Sequence, residues 1–191
     1  MEAAIQARGR RSHFASKGDV VAPWQNPPSG KRLAPTQNPT MITWLNYPAF
    51  SAYAIASLVL CANLVFLWVY SGTVRARTGT ATNPEDSVQY HAALSESDPP
   101  AVARVLRAHR NAEANIYPFL LLGLVFVLAG GSATTAWILF GIFSVARLLH
   151  TVAYLGGKQP WRSVFFGIGG LALIALMVCI IVLLVHPHAT A

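Results

Sequence analysis

The chain has 191 residues, of which 54% are apolar and only 11% are charged, and its formal net charge is +7. An ordinary soluble domain carries about 25% charged residues, so this composition excludes that class and predicts one compact membrane domain. Its two cysteines, Cys61 and Cys179, both lie in apolar runs. They are typical of small buried hydrophobic residues and give no support to a disulfide.

The first 44 residues form a basic tail rich in Pro, Ser, Gly and Gln. This composition predicts disorder, and the tail contains no hydrophobic core of a signal peptide. Met41 stands immediately before the first apolar run, so we also consider that translation begins there and that residues 1–40 come from an over-extended reading frame. A rival function for the tail is a basic arm that binds anionic lipid or nucleic acid. Its charges are spread out with little aromatic interleaving, so we expect no nucleic-acid partner.

Four apolar segments within residues 45–188 predict four membrane-spanning helices, because about 20 helical residues cross the hydrocarbon core. The first covers residues 47–70. The second has to begin near residue 102 to reach residue 129, since its purely apolar part is too short to cross. The third and fourth cover residues 133–155 and 163–185. The short connections between the last three predict antiparallel neighbours, so the predicted fold is an all-α four-helix bundle.

A polar segment at residues 75–100 connects the first two spans. The strings Asn83-Pro84-Glu85-Asp86 and Asp98-Pro99-Pro100 signal turns or helix starts. Such a segment is long enough to cap a site.

Basic residues predict the orientation of the bundle. The second connection and the C-terminal tail contain no Lys or Arg, whereas the other two connections and the adjoining helix ends carry Arg75, Arg77, Arg104, Arg107, Arg110, Lys158 and Arg162. This asymmetry predicts that the basic, loop-rich side lies in the cytoplasm. The basic N-terminal tail conflicts with that orientation if it is native.

Polar groups within the third span predict a functional site. Arg147, His150 and Tyr154 follow spacings of three and four residues, so they stack on one helix face and can grip a single ligand. For Arg147 we favour a structural role, in which it pairs with a backbone carbonyl or a carboxylate. For His150 and Tyr154, hydrogen bonding between helices is as compatible with the pattern as ligand binding.

The start of the second span carries a basic face. Arg107, Arg110, Asn111 and Ala114 share one side of the helix. Since charged groups in membrane helices usually face the interior, this side is predicted to point inward at a water-filled or ligand-filled cavity.

Several short strings occur in order between residues 48 and 185 and carry a family resemblance. They are residues 74–77 (VRAR), 83–86 (NPED), 106–111 (LRAHRN), 116–119 (IYPF), 150–156 (HTVAYLG) and 162–164 (RSV). Together they resemble the MAPEG family, the membrane-associated proteins in eicosanoid and glutathione metabolism. The resemblance implies a homotrimer that binds glutathione between neighbouring subunits near the cytoplasmic side.

The resemblance also implies the residues that contact glutathione. They are Arg75, Arg110, Asn111, His150, Tyr154, Arg162 and Ser163. Arginine forks bind carboxylates in bidentate fashion, which suits a tripeptide with two carboxylates. Arg75 directly follows a span and is equally compatible with an interfacial anchor. Family members usually carry a glutamate where this chain has Ala114, and Glu113 is turned about 100° away around the helix, so it is expected to miss the ligand.

The implied catalytic residues are Arg162, Ser163 and Asp86. Arg162, at the predicted start of the fourth helix, would stabilise the glutathione thiolate together with a hydrogen bond from Ser163. Thiolate attack on a lipophilic substrate then leads to a transferase, a peroxidase or an isomerase of the prostaglandin E synthase type. Asp86 is either the proton carrier of the isomerase reaction or a helix cap after Pro84, and we slightly favour the cap.

Two other classes of function are compatible with four apolar helices. A non-catalytic lipid-binding scaffold of the same fold would have no reason to retain Arg162 together with Arg110 and Asn111. A small channel or transporter would be expected to show an inverted repeat and a full polar path. The sequence contains no zinc-ligand spacing, so we predict no metal site. We therefore expect an enzyme with glutathione as cofactor, and a lipophilic small molecule, membrane lipid and further copies of the chain as partners.

Overall fold

The computed structural model describes residues 46–186. The predictions for the tail of residues 1–44, and for the domain ends at residues 45 and 188, lie outside this range and stay predictions. Within it, the elements are α1 (Phe50–Thr78), β1 (Thr80–Ala81), α2 (Pro84–Tyr90), β2 (Ala93–Leu94), α3 (Pro100–Leu128), α4 (Ala133–Leu155) and α5 (Trp161–Val185). The two short strands are parallel neighbours.

Four of the described helices, α1, α3, α4 and α5, are long and apolar enough to cross a membrane. The predicted number of spans is therefore confirmed, and the protein is an all-α, multi-pass membrane bundle. Large apolar side chains such as Leu58, Leu121 and Leu171 point outward. This is expected for surfaces that contact lipid or another subunit, because hydrocarbon gives helices no reason to bury apolar groups.

Local sequence signals set several helix ends. The Ser132 hydroxyl caps α4 by accepting a hydrogen bond from the Thr135 N–H at 3.1 Å. Pro84 and Pro100 lie in the first turns of α2 and α3, where a missing N–H breaks no helical hydrogen bond. Gly79 ends α1 with a φ of 61°, in the left-handed region that favours glycine.

The first span is longer than predicted, since α1 continues past residue 70 to Thr78. Ser71 and Thr73 do not break the helix, because their hydroxyls donate back to the carbonyls of Trp68 and Val69 at 2.7 and 3.1 Å. Arg75 therefore lies on a helix and not in a loop. The rest of the predicted polar segment holds α2 and the strand pair.

The core lies between α1, α3, α4 and α5. The Phe119 ring stacks on Phe143 with centroids 4.1 Å apart and meets the Phe140 ring edge-on at 5.3 Å. The Tyr53 hydroxyl of α1 donates to the Leu120 carbonyl of α3 at 3.2 Å. These contacts hold α1 and α3 side by side, so that the end of α1 lies at the same end of the bundle as the start of α3.

Three of the four residues on the basic face of α3 point out of the protomer, so the predicted inward orientation is wrong for them. Arg107, Arg110 and Ala114 are exposed, whereas Asn111 is partly buried. Ala108 and Ala112 on the other side are buried. Small residues allow neighbouring helices to approach closely, and this packing sets the rotation of α3 about its own axis.

Candidate functional site

Apart from Arg110 and Arg147, the predicted site residues divide between two separate clefts at the same end of the bundle. The first, which we call the Arg75 cleft, has a volume of about 570 Å³ and is formed by the end of α1, β1 and α2. Its lining includes Arg75 and Asp86. The second, which we call the His150 cleft, has a volume of about 330 Å³ and is lined by Asn111, His150, Tyr154, Arg162, Ser163 and Phe166. The two clefts share no lining residue.

Arg162 lies in the first turn of α5 and is held from two sides. Its guanidinium carbon lies 4.9 Å from the centre of the Tyr154 ring, at a distance suited to a cation–π contact. When the Gln159 amide oxygen faces Arg162, it accepts hydrogen bonds from Nη2 at 2.7 Å and from Nε at 3.2 Å. The opposite orientation would set amide donors against guanidinium donors. Arg162 is therefore held in place at the cleft.

The Ser163 hydroxyl is available to a ligand. With the Gln159 oxygen facing Arg162, the Gln159 nitrogen lies 3.2 Å from Ser163 Oγ and donates to it. Because Ser163 accepts in this contact, its own hydrogen is free to donate elsewhere. The residue is exposed at the start of α5, where the helix dipole adds positive partial charge. An anion at this position would meet three favourable groups.

His150 forms the inner wall of the cleft. It is almost fully buried, with its ring centroid 5.6 Å from that of Tyr154 and 6.1 Å from that of Phe166. The aromatic groups restrict access of water to this side of the cleft. Ligand groups that reach this wall would therefore lie in a less polar environment than those near Ser163.

Arg147 does not line the His150 cleft, so the prediction that it grips a ligand together with His150 and Tyr154 is wrong. It lies about 4.5 Å along the helix axis from His150, deeper in the bundle. From there its Nη2 donates to the side-chain oxygen of Asn111 at 2.8 Å and to the Asn111 carbonyl at 3.4 Å. The structural role that the sequence favoured, pairing with a backbone carbonyl, is the one observed.

In the Arg75 cleft, two charged groups already have partners. Arg75 Nη2 donates to Asp98 Oδ1, which ties the end of α1 to the segment before α3. Asp86 accepts a hydrogen bond from Asn83 Nδ2 at 3.1 Å. The N-cap residue of α2 is Asn83, so the favoured role of Asp86 as the cap residue is wrong. Asp86 lies in the first turn and lines the cleft.

Arg110 and Glu113 lie outside both clefts. Arg110 is exposed next to Asn111, on the outward side of α3. Glu113 accepts a hydrogen bond from the Tyr117 hydroxyl at 3.2 Å and lies 3.8 Å from His109 Nδ1. Both contacts of the Glu113 carboxylate are thus with residues of α3. This agrees with the expectation that Glu113 points away from the ligand side of the helix.

Comparison with known proteins identifies the family. The MAPEG family model matches residues 53–182. The chain belongs to the MAPEG family. Prostaglandin E synthase of Homo sapiens is 39% identical over 123 residues, which cover 64% of this chain and 81% of that protein. The prostaglandin E synthase of Equus caballus is 36% identical over 134 residues, covering 70% and 88%. Microsomal glutathione S-transferase 1 of Rattus norvegicus is 37% identical over 126 residues, covering 63% and 79%.

Sequence reasoning missed three residues that shape the clefts of this MAPEG protein. Gln159 contacts both Arg162 and Ser163, and its position three and four residues before them, beside Pro160, was a usable signal of a helix-start contact. Asp98 lies in the polar segment with charge opposite to that of Arg75, but their pairing across the fold has no signal in sequence spacing. Phe166 lies among the apolar residues of the fourth span, and nothing in the sequence distinguishes it from them.

Proposed function

We propose that the protein is a glutathione-dependent membrane enzyme that holds the glutathione thiol as a thiolate for attack on a lipophilic electrophile or peroxide. The observation that carries the proposal is the His150 cleft. There Arg162, the free hydrogen of Ser163 and the start of α5 adjoin, and no carboxylate is among the lining residues. The names of the relatives, a glutathione S-transferase and prostaglandin E synthases, support it.

The charge of the His150 cleft suits a thiolate. A free thiol has a pKa of about 8.5, so only a few per cent of it is ionised at pH 7. Lowering that pKa by one unit needs about 1.4 kcal/mol of selective stabilisation of the anion. A hydrogen bond between charged partners contributes about 1.5–3 kcal/mol, so Arg162 alone can supply a shift of one to two units.

Recognition of the rest of glutathione needs donors for its two carboxylates. We assign Asn111 and Tyr154 in the His150 cleft, and Arg75 and Arg110 outside it, to this role. Arg75 already binds Asp98 through Nη2. Its side chain is still 35% exposed, which supports a contact between the rest of the guanidinium and a ligand or a neighbouring subunit.

The division of the site supports a ring of identical subunits, and the family resemblance implies that this ring is a homotrimer. Arg75 and Asp86 line one cleft of a protomer, while the other assigned cleft residues line a second. In a closed ring of identical subunits, the Arg75 cleft of each protomer can face the His150 cleft of its neighbour. We propose such a ring, with glutathione at each subunit boundary. Because both clefts lie at the basic end of the bundle, we propose that this end faces the cytoplasm.

The reaction that follows thiolate formation depends on acid–base groups near the substrate. Asp86 is the one carboxylate among the residues that line the Arg75 cleft. A carboxylate there suits proton transfer, which favours a peroxide isomerase of the prostaglandin E synthase type. Conjugation and peroxide reduction remain the other candidate reactions. Asp86→Asn should slow isomerisation while leaving thiolate formation intact.

Thiolate absorbance tests the proposal directly. Glutathione is titrated into the detergent-purified full chain at pH 7, and its ultraviolet thiolate absorbance is recorded beside that of Arg77→Ala, an exposed arginine that lines neither cleft. We expect a saturable thiolate signal in both proteins. If neither shows a signal and calorimetry detects no glutathione binding, the proposal of an enzyme is rejected in favour of a lipid-binding scaffold.

Restoring the family's glutamate should tighten glutathione binding. Ala114→Glu places a carboxylate three residues after Asn111 and on the exposed side of α3, where it can accept from the ligand's ammonium group. One charge-assisted hydrogen bond is worth about tenfold in affinity. Calorimetric titration measures the change. Glu113→Ala is the matched control and should leave the affinity unchanged; a loss of binding there would mean that Glu113 has replaced the missing glutamate.

A further inference from the structure

The side-chain amide of Asn111 has one fixed orientation in this protein. Arginine can only donate hydrogen bonds, so the atom of Asn111 that faces Arg147 Nη2 at 2.8 Å has to be the oxygen, Oδ1. The amide nitrogen Nδ2 then points away from Arg147. It donates to no acceptor among the described residues, and Asn111 lines the His150 cleft.

Arg147 has little freedom to move. Its side chain is fully buried, and its Cδ lies 3.4 Å from the position that a Cβ on Gly169 of α5 would occupy. The arginine stem therefore packs against α5 at Gly169. An arginine packed in this way holds its guanidinium, and therefore Asn111 Oδ1, in one place.

The hydrogen bonding of Arg147 is unusual for a purely structural clamp. Its Nε and Nη1 are buried and have no partner within residues 46–186, so Nη2 makes its only hydrogen bonds there, both to Asn111. A charged group inside a membrane helix costs more than one interhelical hydrogen bond contributes. Every hydrogen bond that Arg147 makes in the described part of the chain is thus directed at one residue of the cleft.

We propose that Arg147 is a positioning residue, which orients Asn111 so that Nδ2 donates into the His150 cleft and recognises a carboxylate oxygen of the ligand. The inference rests on the glutathione-binding function proposed above. It assigns to Arg147 no contact with the ligand. Without Arg147, the amide of Asn111 can rotate and present its oxygen to the carboxylate, which is repulsive.

A double-mutant cycle on glutathione binding tests this role. The dissociation constant is measured by calorimetry for the full chain, for Arg147→Met, for Asn111→Ala and for the double variant. Methionine keeps an unbranched apolar stem and removes all the donors. We expect each single change to weaken binding about tenfold, and the double variant to bind no more weakly than Asn111→Ala alone.

Ser144→Ala is the matched control, because Ser144 is a buried polar residue about one turn from Arg147 whose hydroxyl has no partner within residues 46–186. It should leave glutathione affinity unchanged. If wild type binds glutathione but the two single effects multiply in the double variant, Arg147 acts independently of Asn111 and the positioning role is overturned. If wild type binds no glutathione, the proposed function fails and this inference fails with it.

A second variant covers the case in which Arg147→Met does not fold. Asn111→Asp keeps an oxygen for Arg147 but removes the donor that faces the cleft. We expect folded protein, judged by thermal unfolding in detergent, with at least tenfold weaker glutathione binding. Binding equal to that of wild type would overturn the proposal, because the amide nitrogen would then have no role in recognition.

Discussion

Replacing Arg162 with alanine is expected to lower turnover at pH 7 about 100-fold or more, the usual effect of removing one donor to a reacting anion. Arg162 is the one cation among the residues that line the His150 cleft, and Gln159 and Tyr154 hold it there. Without it, the thiol of bound glutathione should ionise near its ordinary pKa. The thiolate absorbance should fall by at most about 30-fold, because a few per cent of the thiol is still ionised at pH 7, and the rest of the loss in turnover reflects the missing donor to the reacting anion.

The pH dependence separates loss of ionisation from loss of binding. In the wild-type protein the proposed shift of one to two units puts the thiol pKa at about 6.5–7.5, so the rate should rise no more than about fourfold between pH 7 and pH 9. In Arg162→Ala the rate should rise about tenfold per pH unit until it levels off near the free thiol pKa of about 8.5. The measurement is kcat at saturating glutathione across this range.

Arg77→Ala is the matched control for Arg162→Ala, since it removes an arginine from the same end of the bundle outside both clefts. Its rate and pH profile should equal those of wild type. A flat pH profile in Arg162→Ala, with the thiolate signal intact, would mean that another group ionises the thiol.

Mixing two inactive variants should restore activity if the site lies between subunits. One variant lacks Arg162, and the other lacks both Arg75 and Asp86. In a mixed ring, an intact boundary needs the Arg75 cleft from the first variant and the His150 cleft from the second. Every mixed ring of three subunits contains one such boundary among its three, so about a third of wild-type activity should return.

The measurement is turnover of the co-expressed variants, purified through two different affinity tags so that only mixed rings are assayed. Each variant expressed alone is the baseline, and a chain with all three substitutions co-expressed with either variant is the control that should stay inactive. Recovery no higher than this control would show that both clefts act within one protomer. The subunit-boundary site would then be abandoned.

Features that depend on neighbours along the chain could be predicted from sequence. The third span was predicted at the residues where α4 begins and ends, since an apolar stretch of spanning length with Ser132 before it and Gly156 after it specifies a helix locally. The start of α5 next to Pro160 put Arg162 in a first turn, which was confirmed. The predicted end of the first span was too early. The hydroxyls near the end of α1 donate hydrogen bonds to carbonyls of the same helix, so these polar residues do not end it.

The sequence by itself determined that this is a four-span membrane bundle with polar residues gathered at its basic end, because lipid imposes length and apolarity on each helix separately. Only the tertiary structure decided how each helix is rotated about its axis. That rotation turned most of the basic face of α3 outward, pointed Arg147 at Asn111 instead of the cleft, and paired Arg75 with Asp98. Such contacts depend on packing between residues that are distant in the chain. The spacing of residues along one helix gives no information about this packing.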